Sequence, residues 1–255
     1  MKHRKYTGKI LKSATSGIHL NTRLNINAKY SATDLISWQK ERIKFRKNSK
    51  VLDIGSGNGA QSTFMIEKIS NNGHLTSIDY SKKSINILKS KIVSSNFSCF
   101  VANMDNFKDY MKGKYDIIHS SYAIYYSSNP KALLNECYKR LKNKGKLIIT
   151  VPCLPHTLVE QANSINNVPL NVLQSLNFYK NILLPFKKKF SSVKVNNFKN
   201  ILKISKRADF IKIYRATTYY NKNSEKTILK NFDKEKKEYG YFALEKNAKM
   251  ITYLK

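Results

Sequence analysis

The chain has 255 residues, 41% of them hydrophobic, enough for one large domain with a buried core, and no apolar run of about 18 residues that would span a membrane. Its 47 Lys and Arg against 16 Asp and Glu give a formal charge of +31, a field that attracts anions: a phosphorylated metabolite, a nucleic acid or an anionic membrane surface. Cys99, Cys137 and Cys153 show neither metal-ligand spacing nor a disulfide framework, so no metal is expected, and a reducing cytoplasm is the expected location.

Residues 1–50 are read as an N-terminal lid and helix. The basic start is followed by no apolar segment of the kind a secretion signal needs. Residues 1–30 read as a lid or arm. Thr33 to Phe45 reads as a helix, capped by Ser31 or Thr33, with Leu35, Ile36, Trp38, Ile43 and Phe45 on its apolar face.

Val51-Leu52-Asp53-Ile54-Gly55-Ser56-Gly57-Asn58-Gly59 is an apolar strand running into a loop with glycine at every second position, with a helix pattern directly after it. Such a loop lets a ligand lie against bare backbone. Gly55-x-Gly57-x-x-Ala60 also satisfies the relaxed dinucleotide fingerprint. A carboxylate at Asp53 argues against a pyrophosphate and for a ligand carrying an ammonium or sulfonium. Leu75-Thr76-Ser77-Ile78-Asp79 reads as the next strand, ending in an acid at the βαβ spacing that puts a carboxylate on a ribose diol; the other reading of Asp79 is a helix cap. Tyr115 to Ser121 reads as a further strand, Asn129-Pro130 opens a helix with Leu133, Leu134, Cys137 and Leu141 on its apolar face, and Leu141 to Thr150 reads as the basic end of that helix, a glycine turn and the next strand.

These ordered segments over residues 51–151 resemble the class I S-adenosylmethionine-dependent methyltransferases of the small-molecule type. The resemblance implies an α/β Rossmann-like fold: a seven-stranded, mostly parallel sheet with an antiparallel last strand, helices on both faces, and a helical cap or lid. Residues 51–151 would be the cofactor-binding core. Residues 152–222 would be an insertion and substrate cap, including a sixth strand over 190–195. Residues 223–255 would hold a charged, exposed helix and the last antiparallel strand, all in one integrated domain.

The resemblance also implies S-adenosyl-L-methionine as cofactor and S-adenosyl-L-homocysteine as product. Gly55, Gly57 and Gly59 would admit its methionine part, with Asp53 stabilising the ammonium directly or through water and backbone. Asp79 would accept from the ribose hydroxyls. Asn103 stands where similar enzymes carry an Asp near the adenine amino group, beside Met104, with Asp105 as the competing residue. Ser120 opens the loop facing the methyl group, and Tyr30 would contact the cofactor from the lid. Tyr125 and Tyr126 occupy positions that often carry histidines. They serve either as positioning donors or as packing, since a tyrosine with a reference pKa of about 10 is a poor base. His156, at the start of the insertion, is the leading candidate base, ahead of His19 and of His119, which lies within a strand. The expected function is methyl transfer to O or N of a small, anionic, phosphorylated or nucleotide-linked metabolite in glycan or specialised-metabolite biosynthesis. The alternative is an RNA methyltransferase that grips phosphates with its basic surface. The uneven charge favours the first. Residues 1–50 carry 13 basic side chains and residues 180–215 carry 11, while 151–179 carry none.

Overall fold

In the computed structural model, residues 16–70, 72–109 and 113–255 are described. The first half of the expected lid, residues 1–15, lies outside them. Helix α1 (Gly17–Tyr30) and helix α2 (Leu35–Arg42) precede the sheet. The cap of α2 is neither Ser31 nor Thr33 but Asp34, whose carboxylate accepts from the Ser37 amide at 2.7 Å. The alternation of strands and helices then follows: β1 (Lys50–Ile54), α3 (Ala60–Ile66), β2 (His74–Asp79), α4 (Lys82–Lys91), β3 (Phe97–Val101), β4 (Tyr115–Ser121), α5 (Pro130–Arg140) and β5 (Leu141–His156). Asn129 caps α5 through the Ala132 amide, with Pro130 in the first turn, where its missing N–H is no loss.

The remaining elements are α6 (Thr157–Ile165), α7 (Leu170–Leu176), short helical turns over 179–189 that include α8 (Leu184–Phe186), β6 (Ser192–Phe198), β7 (Ile201–Ile204), α9 (Arg207–Arg215), α10 (Lys222–Tyr239) and β8 (Phe242–Leu254). The sheet has eight strands rather than seven. Its main order is β3-β2-β1-β4-β5-β8-β6, and β7 also pairs with β8. Strands β1 to β5 are parallel, and β8 runs antiparallel to β5, β6 and β7. The extra strand arises because β8 is 13 residues long: its C-terminal half pairs with β6 and its N-terminal half with β7. The order reverses between β1 and β4, and the crevice beyond that switch point is where open α/β sheets hold ligands.

Strand periodicity sorts the core into two layers. Leu52, Ile54, Ile118, Leu147 and Ile149 face one side, against Leu133, Leu134 and Cys137 of α5. Val51, Leu75, Ile117 and Ile148 face the other, against Trp38 of α2 and Phe64 and Met65 of α3. Helices on both faces explain why the strands are nearly continuous apolar runs. A further core binds the cap. Leu158 of α6, Phe210 and Tyr214 of α9, Ile228 and Phe232 of α10, and Phe242 and Leu244 of β8 pack together. The Phe210 and Phe232 rings stack at 4.7 Å. Thus α10, expected as an exposed charged helix, buries Ile228, Leu229 and Phe232 on one face, a stripe at helical spacing beneath its lysines.

Candidate functional site

A cavity of about 580 Å³ lies beyond the C-terminal ends of β1, β2 and β4, roofed by α1 and by the cap helices α6, α7 and α9. Its floor is the loop after β1. Gly55, Gly57 and Gly59 all have left-handed φ angles, +72°, +55° and +85°. The loop is pinned to the end of β2, where Ile78 O accepts from the Gly55 and Ser56 amides at 2.8 and 3.0 Å. A Cβ on Gly55 would stand 2.2 Å from Ala123 Cβ, and one on Gly59 would stand 2.3 Å from Leu88 Cδ1. The close approach to Ala123 follows from Tyr122, a non-glycine residue at φ +54°, which turns the chain sharply after β4.

Gly55, Gly57, Asp79, Asn103, Met104, Tyr125, Tyr126 and His156 line this cavity together. Asp79 accepts from the amides of Gly57 and Ser81, each at 2.8 Å. Each oxygen keeps a further lone pair, and burial raises its pKa. Asn103 Oδ1 accepts from the Asp105 amide at 3.0 Å, an arrangement that locks its turn. Asp105 itself is engaged by Ser127 Oγ and, at 2.8 and 2.5 Å, by the Ser128 amide and hydroxyl. It ties the segment after β3 to the loop after β4.

Asp53, Gly59, Ser120 and Tyr30 do not reach the cavity wall. The parity of β1 puts Asp53 beneath α3, opposite Ser77 and His119 in the neighbouring strands. One carboxylate oxygen accepts from Ser62 Oγ at 2.7 Å and the other meets His119 Nδ1 at 2.8 Å. All four side chains are buried, so Asp53 braces the glycine loop and the start of α3 from below. Ser120 Oγ donates to Ile54 O at 2.9 Å. Tyr30 donates to Asp209 of α9 at 2.7 Å, and Lys29 pairs with the same carboxylate at 2.6 Å, so this end of α1 clamps the roof.

The far end of the cavity holds residues that the motifs did not single out. Arg23 of α1, Tyr219 after α9 and Lys246 of β8 line it with His156. Arg23 donates to Ala216 O at 2.6 Å, and Lys246 Nζ donates to Asn27 Oδ1 at 3.2 Å. Lys246 stands opposite His156 across an irregularity in the β5–β8 pairing. Burial and the neighbouring Arg23 push the Lys246 pKa down to about 8, and burial with Lys246 nearby pushes His156 down to about 3. His156 is therefore neutral, and its Nδ1 has no hydrogen-bond partner among the described residues. Tyr122, Tyr126 and Tyr219 all have raised pKa values through burial and stay protonated. Asp79 and Asp105 are the only acids on the cavity wall among the described residues. Among those residues no cluster of His, Cys, Asp or Glu could hold a metal ion, and no helix is long and apolar enough to cross a membrane.

Residues 45–206 match the model of the family described as "Methyltransferase domain". Phosphoethanolamine N-methyltransferase of Plasmodium falciparum (isolate 3D7) is 36% identical over 113 residues, 44% of this chain and 42% of that protein. Phosphoethanolamine N-methyltransferase 1 of Arabidopsis thaliana is 29% identical over 114 residues, 44% of this chain and 23% of that protein. The matched segments thus span less than half of either relative. Among solved structures, a candidate methyltransferase of Bacillus halodurans C-125 superposes with a TM-score of 0.63 at 11% identity, covering 86% of this chain and 98% of that one. Haemonchus contortus phosphoethanolamine N-methyltransferase 2, in complex with phosphomonomethylethanolamine and S-adenosylhomocysteine, superposes at 0.58 with 14% identity, covering 98% and 60%. The bare backbone of Gly55 and Gly57 on the cavity floor and the acid ending β2 suit S-adenosylmethionine. The matched family, whose 162-residue span exceeds half of the chain, agrees with that chemistry, and the chain belongs to the class I S-adenosylmethionine-dependent methyltransferases.

Proposed function

We propose that this methyltransferase acts on a nitrogen or oxygen of a small phosphorylated acceptor, with phosphorylated amino alcohols such as phosphoethanolamine as the leading class. The observation that carries this reading is the far end of the cavity, where Arg23 and Lys246 face the interior with no carboxylate on the wall near them to neutralise them. Two half-buried cations lining one end of a cavity favour an anion between them. The names of the curated relatives point to the same class of acceptor.

When bound, the cofactor supplies an activated methyl group. The chain's task is to align and to desolvate. Gly55 and Gly57 admit the cofactor to the floor, and Asp79 offers its free lone pairs to the ribose. Lys246 and Arg23 anchor the acceptor's phosphate. A positive wall without a carboxylate disfavours an ammonium, so an acceptor amine is held in the neutral, nucleophilic form. His156, being neutral, accepts a hydrogen bond from the attacking N–H or O–H. Tyr125 and Tyr126 wall the path between the two halves, and a protonated Tyr126 serves as a donor and not as a base.

The test is methyl transfer from labelled cofactor to matched acceptor pairs with and without the phosphate. We expect kcat/KM to favour the phosphorylated member by about a hundredfold or more. Equal rates on both members would overturn this reading, and so would faster methylation of a defined RNA position than of any small acceptor.

A further inference from the structure

The placement of Asp53 leaves open which group receives the positive, amino-acid end of the cofactor. The reading of Asp79 as the ribose acceptor orients the ligand. Asp79 ends β2, the glycine loop ends β1 and Ser121 ends β4, so the three lie in sequence across the sheet. A cofactor with its ribose at Asp79 has its amino-acid end near Ser121 and the first turn of α3.

At that place stands Gln61, on the cavity wall with Ser121. Its Nε2 donates to Gln39 Oε1 at 3.2 Å and lies 3.4 Å from Ser121 Oγ. Gln39 comes from α2 and is wholly buried. Its own Nε2 donates to Thr150 Oγ1 at 2.7 Å and to Ser121 Oγ at 3.2 Å. Each amide thereby fixes the polarity of the next. Gln39 spends its N–H groups on β4 and β5, presents its oxygen to Gln61, and so holds the Gln61 NH₂ group away from the ligand. The remaining atom of that amide, Oε1, is an acceptor only.

We propose that Gln61 Oε1 is the acceptor for the cofactor's α-ammonium, and that Gln39 is the positioning residue that keeps this oxygen turned toward it. The buried Asp53 then acts through the backbone it braces. A neutral acceptor in this role suits the site. Asp53 is already matched by Ser62 and His119, and an amide oxygen binds an ammonium without burying another charge. The proposal rests on the cofactor assignment and is independent of the acceptor.

Calorimetric titration with three ligands tests it. S-adenosylhomocysteine carries ammonium and carboxylate, its decarboxylated analogue keeps only the ammonium, and 5′-methylthioadenosine has neither. For Gln61→Leu we expect about tenfold weaker binding of the first two and less than a twofold change for the third. The third ligand also certifies the fold of the variant. Gln61→Glu keeps an acceptor and should restore most of the lost affinity. Gln39→Leu should weaken the first two ligands by about threefold and spare the third. Loss confined to S-adenosylhomocysteine would mean that Gln61 meets the carboxylate through its NH₂, which overturns the polarity. Equal loss for all three, or a Gln61→Glu variant as weak as Gln61→Leu, would make the pair a structural brace. If the unaltered protein binds none of the three, the cofactor assignment fails, not this inference alone.

Discussion

The two ends of the cavity are built in different ways. The floor is made by consecutive residues at parallel strand ends, set by backbone hydrogen bonds and by glycine geometry with no slack. The far end gathers Arg23, His156, Tyr219 and Lys246 from α1, β5, the segment after α9 and β8. The first arrangement suits a ligand that never changes. The second can be retuned one side chain at a time, which is what a family with one cofactor and many acceptors requires.

If that division holds, changes on the floor should destroy cofactor binding, while changes at the far end should spare it. The largest effect is expected for Gly55→Val. With a Cβ 2.2 Å from Ala123, S-adenosylhomocysteine binding should fall below detection in calorimetry, whereas an alanine at Gly57, 3.3 Å from the Leu20 side chain, should cost only about 1–2 kcal/mol. Next comes Lys246→Met. Acceptor KM should rise about 30–100-fold with the S-adenosylhomocysteine Kd unchanged, and a shift in both would erase the distinction between the two ends. Asp79→Ala should weaken S-adenosylhomocysteine about ten- to a hundredfold and leave acceptor KM alone at saturating cofactor.

Lys246 also permits a pH test. Its folded pKa, about 8, lies below the usual 10.5, so the unfolded chain binds more protons between those values and stability should rise with pH across that window. Below pH 8 the charged lysine destabilises the empty protein. Lys246→Met should therefore raise the Tm at pH 7 by about 2–4 °C while weakening acceptor binding. Acceptor affinity should decline above pH 8 as the lysine loses its proton, and a flat profile would exclude it from the anion site. The smallest effect belongs to the exposed cluster Lys187, Lys188 and Lys189. Replacing all three with Gln should change acceptor KM less than twofold at moderate salt, because screening acts over about 8–10 Å.

The same division explains what could be read from the sequence. Asp79, Asn103 and Met104 reach the cavity wall because each stands at a strand end or within three residues of one. The parallel core was legible from its apolar runs. The buried position of Asp53 was available in the strand period, since Val51 and Asp53 must share a face. Tyr30 and Ser120 were assigned by neighbourhood, and their hydroxyls found Asp209 and Ile54 instead. Lys246 gave no distinct signal, because Glu245, Asn247 and Lys249 are polar positions in the same strand. Arg23, Tyr219 and the Gln39–Gln61 pair gave none, because their meaning depends on contacts between distant segments. The eighth strand, β7, was hidden because four residues in a basic stretch carry too little periodicity to distinguish a strand from cap.

Strand β8 has one foot in each layer of the molecule. Phe242 and Leu244 belong to the core of the cap, and Met250, Ile251 and Tyr253 to the cores of the sheet. Lys246 sits where the strand passes from one to the other. The cap therefore cannot melt as a separate unit without fraying the strand that joins β5 to β6, and the molecule should lose its two cores in one cooperative transition. An enzyme whose roof and floor share a strand cannot loosen its grip on the acceptor by letting the whole cap unfold. Opening without unfolding falls to helix α1, which is fastened by side chains, Lys29, Tyr30 and Arg23 among them, and by a single backbone bridge from its cap Ser31 to Leu202.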